Sequence, residues 1–381
     1  MFSFDRKNTS IFAKWWRNID KQILFLFMFV LFLGLFFSYT STSSIASEKI
    51  NKEAYSFFLK HFIFVLISLF LFIFISIQDK NNIIKYLTFL FLISVFLLVL
   101  VPILGAEVKG SKRWVELLFL PKFQPIELVK PLFILLVAKV IVLNFKTNIY
   151  YRYLFSFFLL LPIVLLLINQ PDIGQTLLLI TTWLTMIFAS GFNMYILILL
   201  GFATLGVIIS LIYIFPSKFG YIILRLKTFF NPESGDNFQS QKALDAIKQG
   251  GLTGQGMGEG VLKDKVPEAH TDYIVAVISE EFGALFVLFI IIIFLLIGYK
   301  VLNNVFLNKN EFLKLALIGL VSLLIIQTFI HIGVNIRLLP TTGMTLPFLS
   351  YGGSSLIGSS IIAGIILNFT RKDFARDSIN V

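Results

Sequence analysis

Two carboxylates four residues apart, Glu268 and Asp272, stand in the run Val266-Pro267-Glu268-Ala269-His270-Thr271-Asp272-Tyr273-Ile274-Val275. Pro267 suits a first helical position, and the i, i+4 spacing predicts that the two acids share one face of a helix. A helix N-terminus favours the ionised form of a carboxylate while burial opposes it, and an ionised carboxylate placed there can act as a general base. Acidic helix starts are also common for purely structural reasons, so position alone does not separate the two readings. Just upstream lies the glycine-rich run Gly250-Gly251-Leu252-Thr253-Gly254-Gln255-Gly256-Met257-Gly258-Glu259-Gly260. It is not a P-loop, because no Gly-Lys-Ser/Thr follows, and not a dinucleotide fingerprint, because no strand precedes it. What is left is either a tight turn whose amides, those of Gly256 and Gly258 among them, hold an anion such as a diphosphate, or a plain hinge.

Further charges fall within or at the ends of apolar runs: Glu127, Lys130, Lys139, Asp172, Glu280 and Glu281. Ionisable groups there are costly and normally face protein or water-filled interior. Continued as one helix, Glu280 and Glu281 would lie roughly 12–14 Å deeper than Asp272. Two readings stay open, a polar cavity leading inward or pairing between helices; for Lys139, near a helix end, snorkelling suffices.

The elements that position these groups are membrane spans. The 381-residue chain is 57% hydrophobic and only 14% charged, with a mean hydropathy of +0.88 and 44 Phe spread along its length. A soluble multidomain enzyme and a disordered chain are both excluded by that balance. Cys is absent, which removes disulfides, thiolate catalysis and Cys-ligated metals, and the three His (His61, His270, His331) are far apart. The net charge of +11 belongs to membrane-edge Lys and Arg rather than to nucleic-acid binding. No cofactor is evident, no metal site is expected, and a divalent-ion requirement is left open.

At about 20 apolar residues per span, ten spans are read: 22–40, 58–77, 83–104, 126–145, 151–169, 173–190, 194–215, 271–299, 312–335 and 351–369. The expected class is all-α, a polytopic membrane protein of about ten helices. Residues 1–21 form an N-terminal arm, 22–370 the membrane domain and 371–381 a tail. The first apolar run follows a basic arm without a small-residue cleavage site, so it reads as a span and not a signal peptide. With the N-terminus inside, the inside segments hold fifteen Lys and Arg against eight in the short outside ones. That bias puts both ends in the cytoplasm and places 105–125, the large loop 216–270 between spans seven and eight, and 336–350 outside. Two of these segments have a membrane-surface look. Residues 105–125 carry Trp114 and Leu117 to Leu120, too charged to span but suited to lie over the bundle, or to be a plain amphipathic connector. Residues 218–230 place Phe219, Ile222, Ile223, Leu226, Phe229 and Phe230 on a helical stripe with Lys218, Arg225 and Lys227 mostly off it, a basic amphipathic helix ended by Asn231-Pro232.

Four blocks carry a family resemblance. They are Lys109-Gly110-Ser111-Lys112-Arg113-Trp114 with Gln124-Pro125-Ile126-Glu127-Leu128-Val129-Lys130; Asn169-Gln170-Pro171-Asp172-Ile173-Gly174; the glycine run leading into Pro267–Asp272 and Glu280-Glu281-Phe282-Gly283; and Leu339-Pro340 through Gly343, Pro347 and Ser350-Tyr351-Gly352-Gly353-Ser354-Ser355. Together they resemble the SEDS family (shape, elongation, division and sporulation) of membrane-embedded peptidoglycan glycosyltransferases, over nearly the whole chain. The wording around Asn335, Pro340–Pro347 and Gly258-Glu259-Gly260 is more similar to the division-type branch than to the elongation type. The resemblance implies ten spans in the bacterial plasma (inner) membrane, both ends cytoplasmic, and polymerisation of lipid II, an undecaprenyl-diphosphate-linked disaccharide pentapeptide, on the outer face. It implies Asp272 as the catalytic carboxylate, with Arg113, Lys130, Glu268, His270, Arg337, Gly256, Gly258 and Ser350 at the substrate. It also implies a partner, a class B penicillin-binding protein transpeptidase, among other divisome membrane proteins. The sequence departs from the family pattern at Ile126, Tyr273 and Val275, and at Thr342, where a Lys is frequent; Arg337 is the expected substitute cation.

The chemistry implied needs an activated acceptor hydroxyl and stabilisation of a departing lipid diphosphate. Asp272 is the expected base, Arg113, Lys130 and Arg337 the expected counter-charges, and Glu268 and His270 orienting or sugar-binding groups. Competing readings are an elongation-type polymerase, a lipid II flippase, which needs charges lining a path through both leaflets, and a scaffold that only recruits the transpeptidase.

Overall fold

The structure is a computed structural model and describes residues 10–48, 52–108, 111–116, 122–142, 149–214, 216–230, 238–262 and 265–372. The amphipathic α1 (Ile11–Asn18) precedes the apolar helices α2 (Lys21–Glu48), α3 (Lys52–Ile77) and α4 (Lys80–Leu104). A hairpin, β1 (Gly105–Val108) and β2 (Ser111–Val115), leads to α5 (Ile126–Val142), α6 (Ile149–Asn169), α7 (Ile173–Ala189) and α8 (Met194–Ile214). Then come α9 (Pro216–Phe230), α10 (Phe238–Gly250), α11 (Ile274–Phe282), α12 (Ala284–Leu307), α13 (Glu311–Asn335) and α14 (Gly353–Phe369). Among the described residues, six helices are long and apolar enough to cross a membrane: α2, α3, α4, α6, α12 and α13. The helices α7 and α14 are apolar but shorter. The all-α membrane architecture agrees with the sequence reading, and nine of the ten spans coincide with one helix each.

The tenth comparison is a correction. The span expected at 271–299 is two helices, broken at Gly283, whose φ of 82° and ψ of 170° lie in a region open essentially to glycine alone. A Cβ there would also sit 2.2 Å from the carbonyl oxygen of Leu252. Only α12 has span length, and α11 packs chiefly against α10, with Ile274, Val275 and Ile278 in the main core. The segment 105–125, read as an interfacial stretch or a connector without a stated secondary structure, has an extended described part. It forms the antiparallel hairpin β1–β2, with Glu107 opposite Lys112 and a further bridge from Val115 to Phe123. Leu117 to Leu120 and Lys109-Gly110 lie outside the described residues, as do Asn231-Pro232, and nothing is described of the side chains of Lys218 and Phe219.

The middle of the bundle is α5, α13 and α14, buried along most of their length, with α4, α6 and α8 presenting Phe, Leu and Tyr outward. Lipid offers no hydrophobic drive between helices, so close packing and small residues hold the bundle. The tightest pairing is α14 along α3: built Cβ atoms on Gly353 and Gly364 would meet Phe64 and Ile75, and Asn368 donates to the carbonyls of Ile75, Ser76 and Gln78 at 3.0, 3.2 and 2.7 Å. Aromatic contacts lock α2 onto this frame, with Phe27 against Phe72 and Phe348, and Phe37 against Phe282 and Phe286. The two ends of the described chain meet on one face. There the Lys372 amide donates to the Asn18 carbonyl at 2.9 Å and Trp15 Nε1 to Ser76 Oγ at 3.0 Å.

Candidate active site

The site is built where the four sequence blocks converge, at the end of α13 remote from the chain ends. Asp272 lies in the turn before α11. Its amide donates to the carbonyl of Glu268 at 3.1 Å, and its own carbonyl accepts from Asn335 Nδ2 at 3.0 Å. Asn335, fully buried at the end of α13, also donates to His331 O and accepts from Ala276 N, so one amide side chain sets the entry angle of α11. The neighbouring turn is tied to the segment before α14: Ser350 Oγ donates to Thr271 O at 2.7 Å and accepts from Leu346 N, and Tyr351 N donates to His270 O at 2.8 Å.

Across from Asp272 stands Arg113, on β2. Its Nε donates to Gln170 O at 3.2 Å, its Nη2 donates to Pro171 O, and its Nη1 is 3.9 Å from Asp172. Gly343 lies beside both groups. A Cβ built on it would be 3.7 Å from both Arg113 Nη1 and Asp272 Oδ2, so the guanidinium and the carboxylate are no more than twice that distance apart. At φ 69° this position favours glycine, so no side chain stands where it would touch both charges. Glu268, Arg337 and Phe348 also hold positive φ, so uncommon backbone geometry clusters in these blocks.

A third element closes over the site. Arg225 on α9 donates to Thr341 O at 3.1 Å and acts electrostatically on both Asp172 and Tyr273. Arg337 donates to Gln241 on α10 at 2.8 Å and acts on Tyr273 as well. Burial, then Asp272, push the Tyr273 phenol upward, and the two arginines pull the other way. Burial also pushes the Asp172 carboxyl up, against Arg113 first and then the Gln175 amide, Lys130 and Arg225. Asp172 caps α7 through Gln175 N and accepts from Gln124 Nε2 at 3.1 Å. Below it lies a buried polar chain. Lys130 Nζ is 2.8 Å from Glu127 and 3.4 Å from Gln327 Oε1, Gln175 donates to Glu127, and Gln327 donates to Thr345 O, whose hydroxyl meets Ser355.

Several sequence expectations change in this light. Glu268 and Asp272 do not share a helix face: Glu268, at φ 57°, cannot continue a right-handed helix, and α11 starts only at Ile274. Glu268 instead offers its carbonyl to the amides of Thr271, Asp272 and Tyr273, and its carboxylate accepts from Thr271 Oγ1. Glu280 and Glu281 do not line a path into the membrane. They end α11, where Glu280 Oε1 accepts from Leu262 N at 2.7 Å and Glu281 Oε1 from Gly258 N at 3.3 Å, while Gly256 N donates to the Glu281 carbonyl at 3.0 Å. The glycine run thus wraps the chain's own carboxylates, so the Gly256 and Gly258 amides are taken and do not face a diphosphate. Lys130 is fully buried against Glu127 and does not reach the open site. The buried hydroxyl of Ser350 is spent on backbone, so it positions the Asp272 turn without facing the site. Asp272 and Arg113 lie near each other beside Gly343, Arg337 and Asp272 both act on Tyr273, and His270 is in the same turn as Asp272. Arg225 and Gly343 are the participants the spacing did not single out: the only signal for Arg225 was its place off the apolar stripe, and Gly343 was one glycine within a motif.

Comparison with known proteins places the whole assembly. The FtsW/RodA/SpoVE family, described as cell cycle proteins, matches residues 20–374. A probable peptidoglycan glycosyltransferase FtsW of Caulobacter vibrioides is 30% identical over 97% of this chain and 94% of its own, and one of Francisella salina is 34% identical over 95% and 92%. Among solved structures, a chain from work on the structural coordination of polymerization and crosslinking by a peptidoglycan synthase complex aligns with a TM-score of 0.75, 23% identity, and coverage of 92% of this chain and 97% of that one. The rod shape determining protein RodA of Thermus thermophilus aligns with a TM-score of 0.67 and 22% identity, covering 92% and 96%. At such identities the structural likeness speaks to the fold alone.

Proposed function

We propose, on the premise that this chain belongs to the FtsW/RodA/SpoVE family of cell cycle proteins, that it is a peptidoglycan glycosyltransferase polymerising lipid II at the outer face of the bacterial plasma membrane. The observation that carries the reading is the facing pair of Asp272 and Arg113 across the unfilled position at Gly343. A glycan chain grows when an acceptor sugar hydroxyl attacks the anomeric carbon of a lipid-linked donor. Asp272 takes the hydroxyl proton, the new C–O bond forms with inversion, and the bond from that carbon to the diphosphate oxygen breaks, its electron pair leaving with the diphosphate. Arg113, with Arg225 and Arg337 nearby, supplies the charge-assisted bonds that stabilise this leaving group. Lys130 and Glu127 act at one remove, by holding Gln175 and Gln327 beneath the site. Since both substrates keep their lipid in the bilayer, the chemistry belongs where these residues stand, at the end of the bundle.

The relatives named FtsW support a division-type role; the class B penicillin-binding protein partner follows from the family resemblance, and the cytoplasmic chain ends from the Lys and Arg bias of the loops. A flippase fits less well, because the charges of Glu127 and Lys130 are fully buried and paired with each other. The test is a gel of glycan products from labelled lipid II, using purified protein with its transpeptidase partner. Wild type should yield long polymer and a folded Asp272→Asn variant none. Polymer from the variant at the wild-type rate would refute the base. Transport of lipid II across vesicles without polymer from either protein would replace the polymerase with the flippase.

A further inference from the structure

A cavity lies on the side of the molecule opposite the candidate active site. It has a volume of about 460 Å³ and opens among the ends of α5, α6, α7, α12 and α13, with Arg152, Ser190, Phe306, Glu311 and Lys314 in its wall. Its depth relative to the site follows from α13, which carries Lys314 in its first turn and Asn335, the partner of Asp272, at its end. Twenty-one residues at 1.5 Å each separate them by roughly 30 Å, the thickness of a bilayer core. The cavity therefore sits in the other leaflet from the candidate active site.

Its chemistry is that of a phosphate held at an apolar edge. Arg152 comes from the first turn of α6, and its Nη1 donates to Ile141 O at 3.2 Å, which fixes the guanidinium on one wall. Lys314 comes from another wall and is 2.8 Å from Glu311. Glu311 is 69% exposed, and an exposed i, i+3 pair is worth little, so a stronger anion can take over the ammonium. Among the described residues, the lining cations outnumber the lining carboxylate two to one. At the rim, Ile149 and Phe306 are 42% and 84% exposed, which leaves large apolar side chains at the membrane edge beside the two cations. A soluble anion has no use for such a rim, whereas the acyl chains of a lipid do.

We propose that this cavity binds the phosphate of an anionic phospholipid from the leaflet opposite Asp272, the headgroup bridging Arg152 and Lys314 and the acyl chains running over Ile149 and Phe306. Basic pockets between transmembrane helices recognise anionic headgroups in this way. The lipid then joins α6 to α13 at the end of the bundle far from the chemistry.

The test is native mass spectrometry and thermal melting of the full-length protein titrated with phosphatidylglycerol, with phosphatidylcholine and with glycerol phosphate as separate arms. Phosphatidylglycerol should be retained and raise the melting temperature, and phosphatidylcholine and glycerol phosphate should do neither. The double variant Arg152→Gln/Lys314→Gln should bind phosphatidylglycerol about 30-fold more weakly, and each single variant about fivefold, from about 1 kcal/mol per cation. The single variants keep the test open should the double variant not fold, and Arg152→Lys, which preserves the charge, should bind within about threefold of wild type. Equal binding of both phospholipids, or undiminished binding by folded single variants, would overturn the proposal. Glycerol phosphate competing as well as the lipid would overturn it in favour of a soluble anion.

Discussion

Gly343→Ala separates the chemistry from the fold. The added methyl would lie 3.7 Å from Arg113 Nη1 and 3.7 Å from Asp272 Oδ2, an ordinary contact that displaces neither. The cost to the fold is the left-handed backbone at φ 69°, about 1–2 kcal/mol, partly offset by a stiffer unfolded chain. The cost to the reaction is larger. A substrate oxygen bonded to both groups must sit about 2.7–2.9 Å from each, in the volume the methyl would take. Losing two charge-assisted bonds at about 1.5–3 kcal/mol apiece lowers the rate by about 10² to 10⁴. Gly191, at φ 92° with no atom within 4 Å of a built Cβ, is the control: Gly191→Ala carries the same kind of backbone cost on the opposite face. The assay is lipid II polymerisation beside thermal melting for both variants. Similar small losses of melting temperature, with activity lost only in Gly343→Ala, is the expected result. A Gly343→Ala protein with wild-type turnover, or a Gly191→Ala protein equally inactive, would refute the placement of substrate between Arg113 and Asp272.

Arg225→Gln should lower kcat/KM for lipid II by about 10- to 100-fold, the worth of one charge-assisted bond, without moving the melting temperature, since the side chain is only half-buried. Glu127→Gln leaves the Lys130 ammonium buried without its carboxylate and should cost about 3–5 kcal/mol; Glu127→Gln/Lys130→Met should recover most of it in thermal melts. The Tyr273 phenol is pushed up by burial and by Asp272. Its neutral form is favoured in the fold, so its contribution is complete below the unfolded pKa of about 10 and is lost as pH rises beyond it. Tyr273→Phe should therefore flatten the alkaline fall in melting temperature. Gly283→Ala combines a glycine-only backbone with a Cβ 2.2 Å from Leu252 O, and limited proteolysis should find the 250–262 run cut far faster than in wild type.

Hydropathy revealed most helices because a span is a property of composition over about 20 residues. It could not see the break at Gly283, since one residue's dihedral angles and one carbonyl 31 positions upstream leave the average unchanged. The hairpin was hidden for a related reason: the pairing of Glu107 with Lys112 is a matter of register, and the apolar residues around Trp114 mark a surface stretch without fixing its secondary structure. At the site, residue type was legible and partnership was not. Arg113 and Asp272 stand in separate blocks, and only the path of the 336–352 segment brings both to Gly343. Gly258, Lys130 and Ser350 have the right chemistry to bind a substrate, yet Glu281, Glu127 and Thr271 respectively meet that chemistry within the chain.

The pairing of α3 with α14 has a consequence for biosynthesis. Asn368, which satisfies the carbonyls of Ile75, Ser76 and Gln78, is made about 290 residues after Ile77, so at 5–20 residues per second α3 waits roughly 15–60 s for its main neighbour. During that interval α3 has α2 beside it, while Phe64 lacks Gly353 and the end of the helix lacks its donor. A nascent chain stalled before α14 therefore carries an unfilled seam down one side of α3. That seam distinguishes incomplete molecules from finished ones and offers a membrane quality-control protease a surface that the last helix erases.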